Sequence, residues 1–297
     1  MKLGTYEQEG KWFAGVIEND GIFPVDQLLE GSPNAARIKD MLEIIEFGEE
    51  ALGWIREGLE NGRSRVRPIP PEQVNVLAPI VLPAKNVFCV GRNYIEHVHE
   101  GDRANGVAIG APKKPIFFTK APTSVIGDGD PIVYPDCTRK LDYECELAVV
   151  IGKQGKDIKE EDVYDYIFGY TIINDVTARD LQDEHGQWFK GKSLDTFCPT
   201  GPYIVTKDEL EWPLNVSLEL RVNGELRQSM VTADMIFHIP RIISELSKGM
   251  TLEAGDIIAT GTGPGCGFGF EPPKFLNVGD VVEIKVEGIG VLQNPVR

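Results

Sequence analysis

The stretch from 142 to 151 reads Asp142-Tyr143-Glu144-Cys145-Glu146 and continues Leu147-Ala148-Val149-Val150-Ile151. Its second half is an apolar run rich in β-branched residues, which predicts a buried strand. Glu144 and Glu146 stand at the entrance of that strand, about 7 Å apart on one face, because alternate residues of a strand share a face. Their repulsion would be removed by a shared hard cation such as Mg²⁺, Mn²⁺ or Ca²⁺. The alternative is a charged, solvated strand edge.

Length and charge restrict the class of protein. The 297 residues suffice for one large or two unequal domains, and the formal net charge of −16 argues against nucleic acid or an anionic membrane as a partner. An anionic small molecule would need a local positive site. We expect no signal peptide and no membrane span, since no run approaches the roughly 18 apolar residues that a span needs. The five cysteines follow no zinc spacing, so a cytoplasmic protein with free thiols is expected.

The order of patterns predicts a small N-terminal α/β domain over residues 1–72 and a larger domain over 73–297, joined through a polar, proline-rich stretch at 61–71. Many short strands with glycine turns and few helices predict a mainly β, sandwich- or barrel-like core. Strands are predicted at 12–17 and 22–25 around a turn at 19–21, and at 87–90, 116–119, 131–134, 169–173, 257–260 and 281–284. Helices are predicted at 36–47, 49–59, 95–100, 160–167 and 234–248, and a loop at 101–115.

Asp175 is a third candidate carboxylate, because it follows the predicted strand at 169–173. Loops at strand ends often carry functional side chains, although a helix N-cap is an alternative for this residue. Together with Glu144 and Glu146 it would supply three oxygen ligands and leave positions on an octahedral ion for water and substrate.

His97 and Glu100 are three residues apart, so they are neighbours if this segment is helical. A carboxylate beside an imidazole orients the ring and raises its basicity, which is the arrangement of a general base that acts on water. The alternative is a pair of polar surface residues in a loop.

Two glycine-rich segments match nucleotide-binding patterns only formally. Residues 186–193 fit the phosphate-loop spacing, but a charged segment precedes them and Pro199 follows, so the required strand and helix are not expected. Lys192 within this segment is a candidate cation beside the carboxylates. Residues 261–265 predict a turn that brings backbone N–H groups to a ligand.

Six separated motifs resemble the fumarylacetoacetate hydrolase family, in that family's order and over about residues 75 to 297. They are Gly91-Arg92-Asn93-Tyr94-Ile95-Glu96-His97, Asp142–Glu146, Gly169–Asp175, Ala178-Arg179-Asp180, Gly191–Asp195 and Thr260-Gly261-Thr262. The chain resembles the bacterial acylpyruvase and oxaloacetate decarboxylase-like branch, because the place of the namesake hydrolase's fourth carboxylate ligand, around Val90, is apolar here. One segment departs from the family's usual Thr-Gly-Thr-Pro-x-Gly-Val-Gly, since Thr262 is followed here by Gly263-Pro264-Gly265-Cys266-Gly267.

The resemblance implies an α+β, mainly β fold, the family's mixed β-sandwich roll, usually as a homodimer that binds Mg²⁺ or Mn²⁺, with Ca²⁺ as a further candidate. It implies Glu144, Glu146 and Asp175 as metal ligands, with water at the fourth carboxylate position of the namesake hydrolase. It also implies His97 and Glu100 as a water-activating pair on a lid and Lys192 beside the metal. The implied substrate contacts are Arg92, Tyr94, Arg179, Gln182 and Thr262.

The first functional hypothesis is hydrolysis of a carbon–carbon bond in a β-diketo acid, such as an acylpyruvate or fumarylacetoacetate. The metal would chelate the 2-oxo acid end, and His97 would activate the attacking water. Two alternatives use the same metal–enolate chemistry: decarboxylation of oxaloacetate, and keto–enol or double-bond isomerisation of a 2-hydroxyhepta-2,4-diene-1,7-dioate-type acid. A non-catalytic binding protein on the same scaffold is the remaining alternative.

Overall fold

The computed structural model describes residues 1–19, 21–62, 65–104 and 106–297. Asp20 of the predicted turn, Arg63 and Ser64 of the predicted linker and Asn105 of the predicted loop lie outside the described residues. The strands are β1 Lys2–Gln8, β2 Lys11–Glu18, β3 Gly21–Pro24, β4 Asn75–Leu77, β5 Val87–Gly91, β6 Ile116–Lys120, β7 Val125–Ile126, β8 Leu141–Asp142, β9 Cys145–Ile151, β10 Ile167–Asn174, β11 Thr177–Ala178, β12 Cys198–Thr206, β13 Ser217–Val222, β14 Glu225–Val231, β15 Ile257–Ala259, β16 Val281–Val286 and β17 Gly290–Pro295. The helices are α1 Val25–Leu28, α2 Met41–Phe47, α3 Glu49–Gly62, α4 Ile95–Ala104, α5 Arg179–Glu184, α6 Phe189–Lys192 and α7 Ile239–Ser247.

Strand β9 lies inside the large sheet, where both of its faces are covered. Leu147, Val149 and Ile151 pack into one core cluster with the strands of a second sheet, whereas Ala148 and Val150 pack into a cluster with α2 and α3. All seven residues of β9 are buried, which is why the strand is a continuous apolar run rather than an alternating one. The large sheet has the order β3-β2-β1-β12-β10-β9-β15-β5-β6, with β4 on β1 and β7 on β12.

The second sheet has the order β14-β13-β16-β17 and covers one face of the large sheet. This two-layer, mostly antiparallel arrangement with few helices confirms the predicted α+β, mainly β class. The N-terminal strands continue the large sheet, since Lys2 and Leu3 of β1 pair with Val205 and Ile204 of β12. The domain boundary near residue 72 stays a prediction.

Most predicted elements are found, and the differences have local causes. The helix predicted from 36 begins only at Met41, where the Asp40 side chain accepts a hydrogen bond from Glu43 N as an N-cap. The helix predicted from 234 begins at Ile239, with Pro240 in its first turn. The segment 160–166 is a 3₁₀ helix.

The strand predicted at 131–134 is wrong. Ile132 forms a single bridge to Val296, and the segment forms no ladder. Of the predicted loop, residues 101–104 belong to α4. None of the helices in the described part of the chain combines the length and the hydrophobicity that a bilayer crossing needs.

Candidate active site

Strand pairing brings the three acidic residues together. In the antiparallel pair of β9 and β10, Asn174 lies opposite Cys145, so the next residue, Asp175, lies opposite Glu144. Asp175 N donates to Glu144 O at 2.9 Å. One carboxylate oxygen from each of Glu144, Glu146 and Asp175 lies within 4.8 Å of the other two, and all three side chains are buried.

Two buried lysines neutralise part of this cluster. Lys192, at the end of α6, donates to Glu144 Oε2 at 2.9 Å and to Asp175 Oδ2 at 2.7 Å. Lys120, the last residue of β6, donates to Asp175 Oδ1 and to Val176 O. Burial alone would lower the pKa of Lys192, but the charges of Asp175 and Glu144 raise it above its usual value. Lys192 is therefore held as a fixed positive charge.

Lys120 was not identified from the sequence, although a signal was present. Its strand was predicted to end at Thr119, one residue too early. A lysine two positions after Phe118 on an apolar strand shares the inward face of that phenylalanine. A buried lysine needs an anionic partner, and here Asp175 provides it.

Arg179 joins the carboxylate cluster to the 266–268 loop through Asp142. Its Nε donates to Asp142 Oδ2 at 2.9 Å, and its Nη2 lies 2.7 Å from Glu144 Oε1. The same Asp142 carboxylate accepts hydrogen bonds from Gly267 N and Phe268 N at 2.7 and 3.1 Å. No local pattern indicates this positioning role of Asp142, because its partners are far away in the chain.

His97 and Glu100 form the expected pair on α4, which follows β5. His97 Nδ1 lies 3.1 Å from Glu100 Oε2, and Glu100 Oε1 accepts a hydrogen bond from Gly265 N at 2.8 Å. The two side chains are 12% and 6% exposed. When Nδ1 donates to the carboxylate, Nε2 is left as the proton acceptor of the ring.

A cavity of about 140 Å³ adjoins these groups. Trp188 packs so closely on Gly91 that a Cβ there would lie 2.2 Å from the indole, so this wall requires a glycine. The cavity is lined by Val90, Gly91, Arg92, His97, Gly101, Phe118, Glu144, Glu146, Arg179, Gln182, Asp183, Trp188, Lys192, Thr262 and Phe268.

Four of the five expected substrate contacts line this cavity, and Tyr94 does not. Arg92 has a positive φ of 56° and donates to Asp102 Oδ1 at 2.6 Å, which fixes its guanidinium at the rim. Gln182 Oε1 accepts from Arg179 Nη1 at 3.2 Å, and Thr262 donates to Cys145 O. Tyr94 is 2% exposed and packs in the core. Its role as a substrate contact stays a prediction, one that the lining of this cavity does not support.

Sequence comparison places this geometry in a family. Residues 86–297 match the family model described as "Fumarylacetoacetate (FAA) hydrolase C-terminal". The chain belongs to the fumarylacetoacetate hydrolase family. The resemblance inferred from the six motifs is thereby confirmed, and the protein is an enzyme of a family that acts on small 2-oxo acids.

Several members of the fumarylacetoacetate hydrolase family are similar along the whole chain. Oxaloacetate tautomerase YisK of Bacillus subtilis (strain 168) is 45% identical over 310 residues, which cover 100% of each chain. The fumarylacetoacetate hydrolase structure from psychrophilic Exiguobacterium antarcticum is 46% identical, with a TM-score of 0.85 over 100% of this chain and 99% of that one. A maleylpyruvate hydrolase from Sphingobium sp. SYK-6, solved with manganese(II) and pyruvate, is 30% identical, with a TM-score of 0.78 over 100% and 98%.

The acidic cluster of this family member fits a divalent cation. Burial, and then the negative charges of Asp175 and Glu144, raise the pKa of Glu146 well above its usual range. Burial would raise the pKa of Glu144 as well, but Lys192 and Arg179 hold it well below its usual range. A divalent cation would stabilise the charged form of Glu146. The buried network comprises four carboxylates and three cations: Asp142, Glu144, Glu146 and Asp175 with Lys120, Arg179 and Lys192.

Proposed function

We propose that this enzyme interconverts the enol and keto forms of a short 2-oxo dicarboxylic acid such as oxaloacetate, with a divalent ion held by Glu144, Glu146 and Asp175. The observation that carries this proposal is the His97–Glu100 pair, which adjoins a small cavity lined also by cationic side chains. The 45% identical relative YisK is named an oxaloacetate tautomerase, which supports the same reaction.

The size and charge of the cavity favour a small dianion. Its volume of about 140 Å³ is well below the roughly 300 Å³ at which pockets for drug-sized ligands begin. Four ionised carboxylates and three cations give the buried network a net charge of −1, so a divalent ion would make it net positive. Arg92 and Arg179 present planar guanidinium groups at the wall, and such groups pair well with carboxylates.

The reaction requires the movement of one proton between the 2-oxygen and carbon 3. His97, oriented by Glu100, is the group that takes up or delivers the proton at carbon 3 through its Nε2. Lys192 and Arg179 stabilise the negative charge that develops on the 2-oxygen, a contact worth roughly 3 to 4 kcal/mol in the barrier. A bound divalent ion would polarise the 2-oxo group as a Lewis acid. Phe118, Trp188 and Phe268 contribute apolar surface to the lining of the cavity.

A second candidate is hydrolysis of the carbon–carbon bond of an acylpyruvate. The His97–Glu100 distance of 3.1 Å also suits activation of a water molecule, and the 46% identical relative is named a fumarylacetoacetate hydrolase. Decarboxylation of oxaloacetate uses the same enolate but needs no general base at carbon 3. His97→Ala therefore separates these reactions, because decarboxylation alone should survive it.

The decisive experiment follows purified enzyme with Mg²⁺ or Mn²⁺ on oxaloacetate and on a panel of acylpyruvates. Tautomerisation leaves the mass unchanged while the ultraviolet absorption of the enol decays faster than in buffer. Hydrolysis incorporates oxygen from heavy-oxygen water, and decarboxylation releases CO₂. Enol decay at the buffer rate, with turnover of another substrate, would refute the tautomerase proposal. The choice between Mg²⁺ and Mn²⁺, the homodimer and the cytoplasmic location stay predictions.

A further inference from the structure

Cys266 lies beside the His97–Glu100 pair, at the position where the family pattern usually has valine. Its Sγ is 3.8 Å from His97 Nδ1, and the same Nδ1 is 3.1 Å from Glu100 Oε2. The three ligand atoms of His97, Glu100 and Cys266 all lie within 4.8 Å of one another. A thiol, an imidazole and a carboxylate therefore converge at one point outside the acidic cluster.

The spacing of these atoms is close to that of a tetrahedral zinc site. With Zn–N, Zn–O and Zn–S bonds of about 2.0, 2.1 and 2.3 Å, tetrahedral angles require N···S and N···O separations of about 3.5 and 3.4 Å. The observed separations are 3.8 and 3.1 Å, so a shift of about 0.3 Å would accommodate an ion. Three protein ligands would leave the fourth tetrahedral position to a water molecule.

We propose that His97, Glu100 and Cys266 form a second metal site, which binds Zn²⁺ or a similar borderline-soft cation and inhibits the enzyme. The donor set separates this site from the acidic cluster by chemistry. Three carboxylates suit Mg²⁺ or Mn²⁺, whereas thiolate and imidazole select zinc-like ions. The bound ion would lie on the side of the imidazole that now faces Glu100.

Inhibition follows from the tautomer of the imidazole and rests on the proposed role of His97 as a base. A neutral imidazole that binds a metal through Nδ1 carries its proton on Nε2. The nitrogen left to face the substrate is then a donor and cannot accept a proton. In the binding step the metal–sulfur bond replaces the S–H bond of Cys266, whose proton passes to solvent, while the imidazole proton moves from Nδ1 to Nε2.

Without such an ion, the surroundings keep Cys266 as a neutral thiol that does not disturb the His97–Glu100 pair. Burial, and then the negative charge of Glu144, raise the pKa of the Cys266 thiol well above its usual range, so the thiol is protonated and neutral. Gln228 Nε2 lies 3.6 Å from Sγ and is placed to donate to a thiolate once one forms. Gly265 N holds Glu100 Oε1, so Oε2 points to the shared centre.

Cobalt(II) is the probe that tests the site directly, because a cobalt–thiolate bond gives a near-ultraviolet charge-transfer band that carboxylate ligands do not. Wild-type enzyme is titrated with Co²⁺ in the presence of excess Mg²⁺, alongside Cys266→Val, Cys266→Ser and, as the matched control, Cys137→Ser at the exposed free cysteine. The expected result is one band in wild type and Cys137→Ser and none in either Cys266 variant.

Zinc inhibition gives the second readout. Both Cys266 variants should keep wild-type turnover with Mg²⁺ and need at least about tenfold more Zn²⁺ for the same inhibition. A wild type without the band, or a band retained in both Cys266 variants, would overturn the proposed site. The cobalt spectrum needs no turnover, so failure of the site is distinguishable from failure of the proposed tautomerase function. A band without zinc inhibition would leave the ion bound but refute its inhibitory role.

Discussion

Replacing Gly269 by alanine should separate Glu100 from His97 without changing any titratable group. A Cβ on Gly269 would lie 2.0 Å from Glu100 Oε1, and real Cβ contacts are essentially never shorter than 3.0 Å. The flexible Glu100 side chain is expected to yield rather than the backbone, and its carboxylate would move by about 1.0 Å. The His97–Glu100 contact of 3.1 Å would then exceed hydrogen-bonding range. A misplacement of this size should lower kcat by about 10²-fold, or about 2.7 kcal/mol in the barrier.

The assay is a double-mutant cycle on turnover of the substrate identified above. Gly269→Ala and Glu100→Ala should each lose about 10²-fold, and the double variant should lose no more than Glu100→Ala alone, since both changes disable one contact. Gly53→Ala is the control, because a Cβ there meets nothing within 4 Å. A folded Gly269→Ala enzyme with wild-type kcat, or losses that multiply in the double variant, would refute the reasoning.

Three further changes probe the charged network. Glu146→Gln should raise the Tm of the chelator-treated protein at neutral pH. Because the pKa of Glu146 is raised in the folded state, that state binds more protons than the unfolded chain above pH 4.5, so the metal-free wild type loses stability as the pH rises from there. A variant whose stability falls with pH at the same slope as wild type would contradict this. Asp142→Asn should lower the free energy of unfolding, measured in urea, by about 3 kcal/mol, because it breaks a buried ion pair with Arg179. A decrease below about 0.5 kcal/mol would contradict this. Lys192→Met should lower kcat by about 10²- to 10³-fold while Mn²⁺ still binds, and unchanged kcat would remove Lys192 from the mechanism.

The central strands could be predicted because local pattern and tertiary environment agree. The run from Leu147 to Ile151 is apolar at every position, and it occupies the one kind of place where such a strand is stable, with both faces covered. The spacing of His97 and Glu100 also predicted their contact, because a helical turn fixes it locally. Convergence of Asp175 with Glu144 was a hypothesis from the sequence, and the antiparallel register of β9 and β10 provides its geometry.

Other parts of the site depend on partners that are distant in the chain. Lys120 is buried because Asp175, 55 residues later, receives its charge; its spacing from Phe118 indicates an inward-facing side chain but not which residue is its partner. Asp142 binds the backbone of Gly267, 125 residues away. The segment 131–134 has the composition of a strand, and it does bond to the residues at the end of β17 and beyond, through Ile132 N to Pro295 O and Tyr134 N to Arg297 O, but only Ile132 completes a bridge. Strand propensity therefore predicted the contact but not the extent of the pairing.

The central claim is that Glu144, Glu146 and Asp175 hold one divalent ion, and Mn²⁺ titration followed by electron paramagnetic resonance tests it most directly. Wild type should bind one tight Mn²⁺ per chain, and Glu146→Gln and Asp175→Asn should each weaken that binding by at least about tenfold. Asp183→Asn, which alters a cavity wall outside the cluster, should bind like wild type. Wild-type Mn²⁺ affinity in both cluster variants would contradict the account.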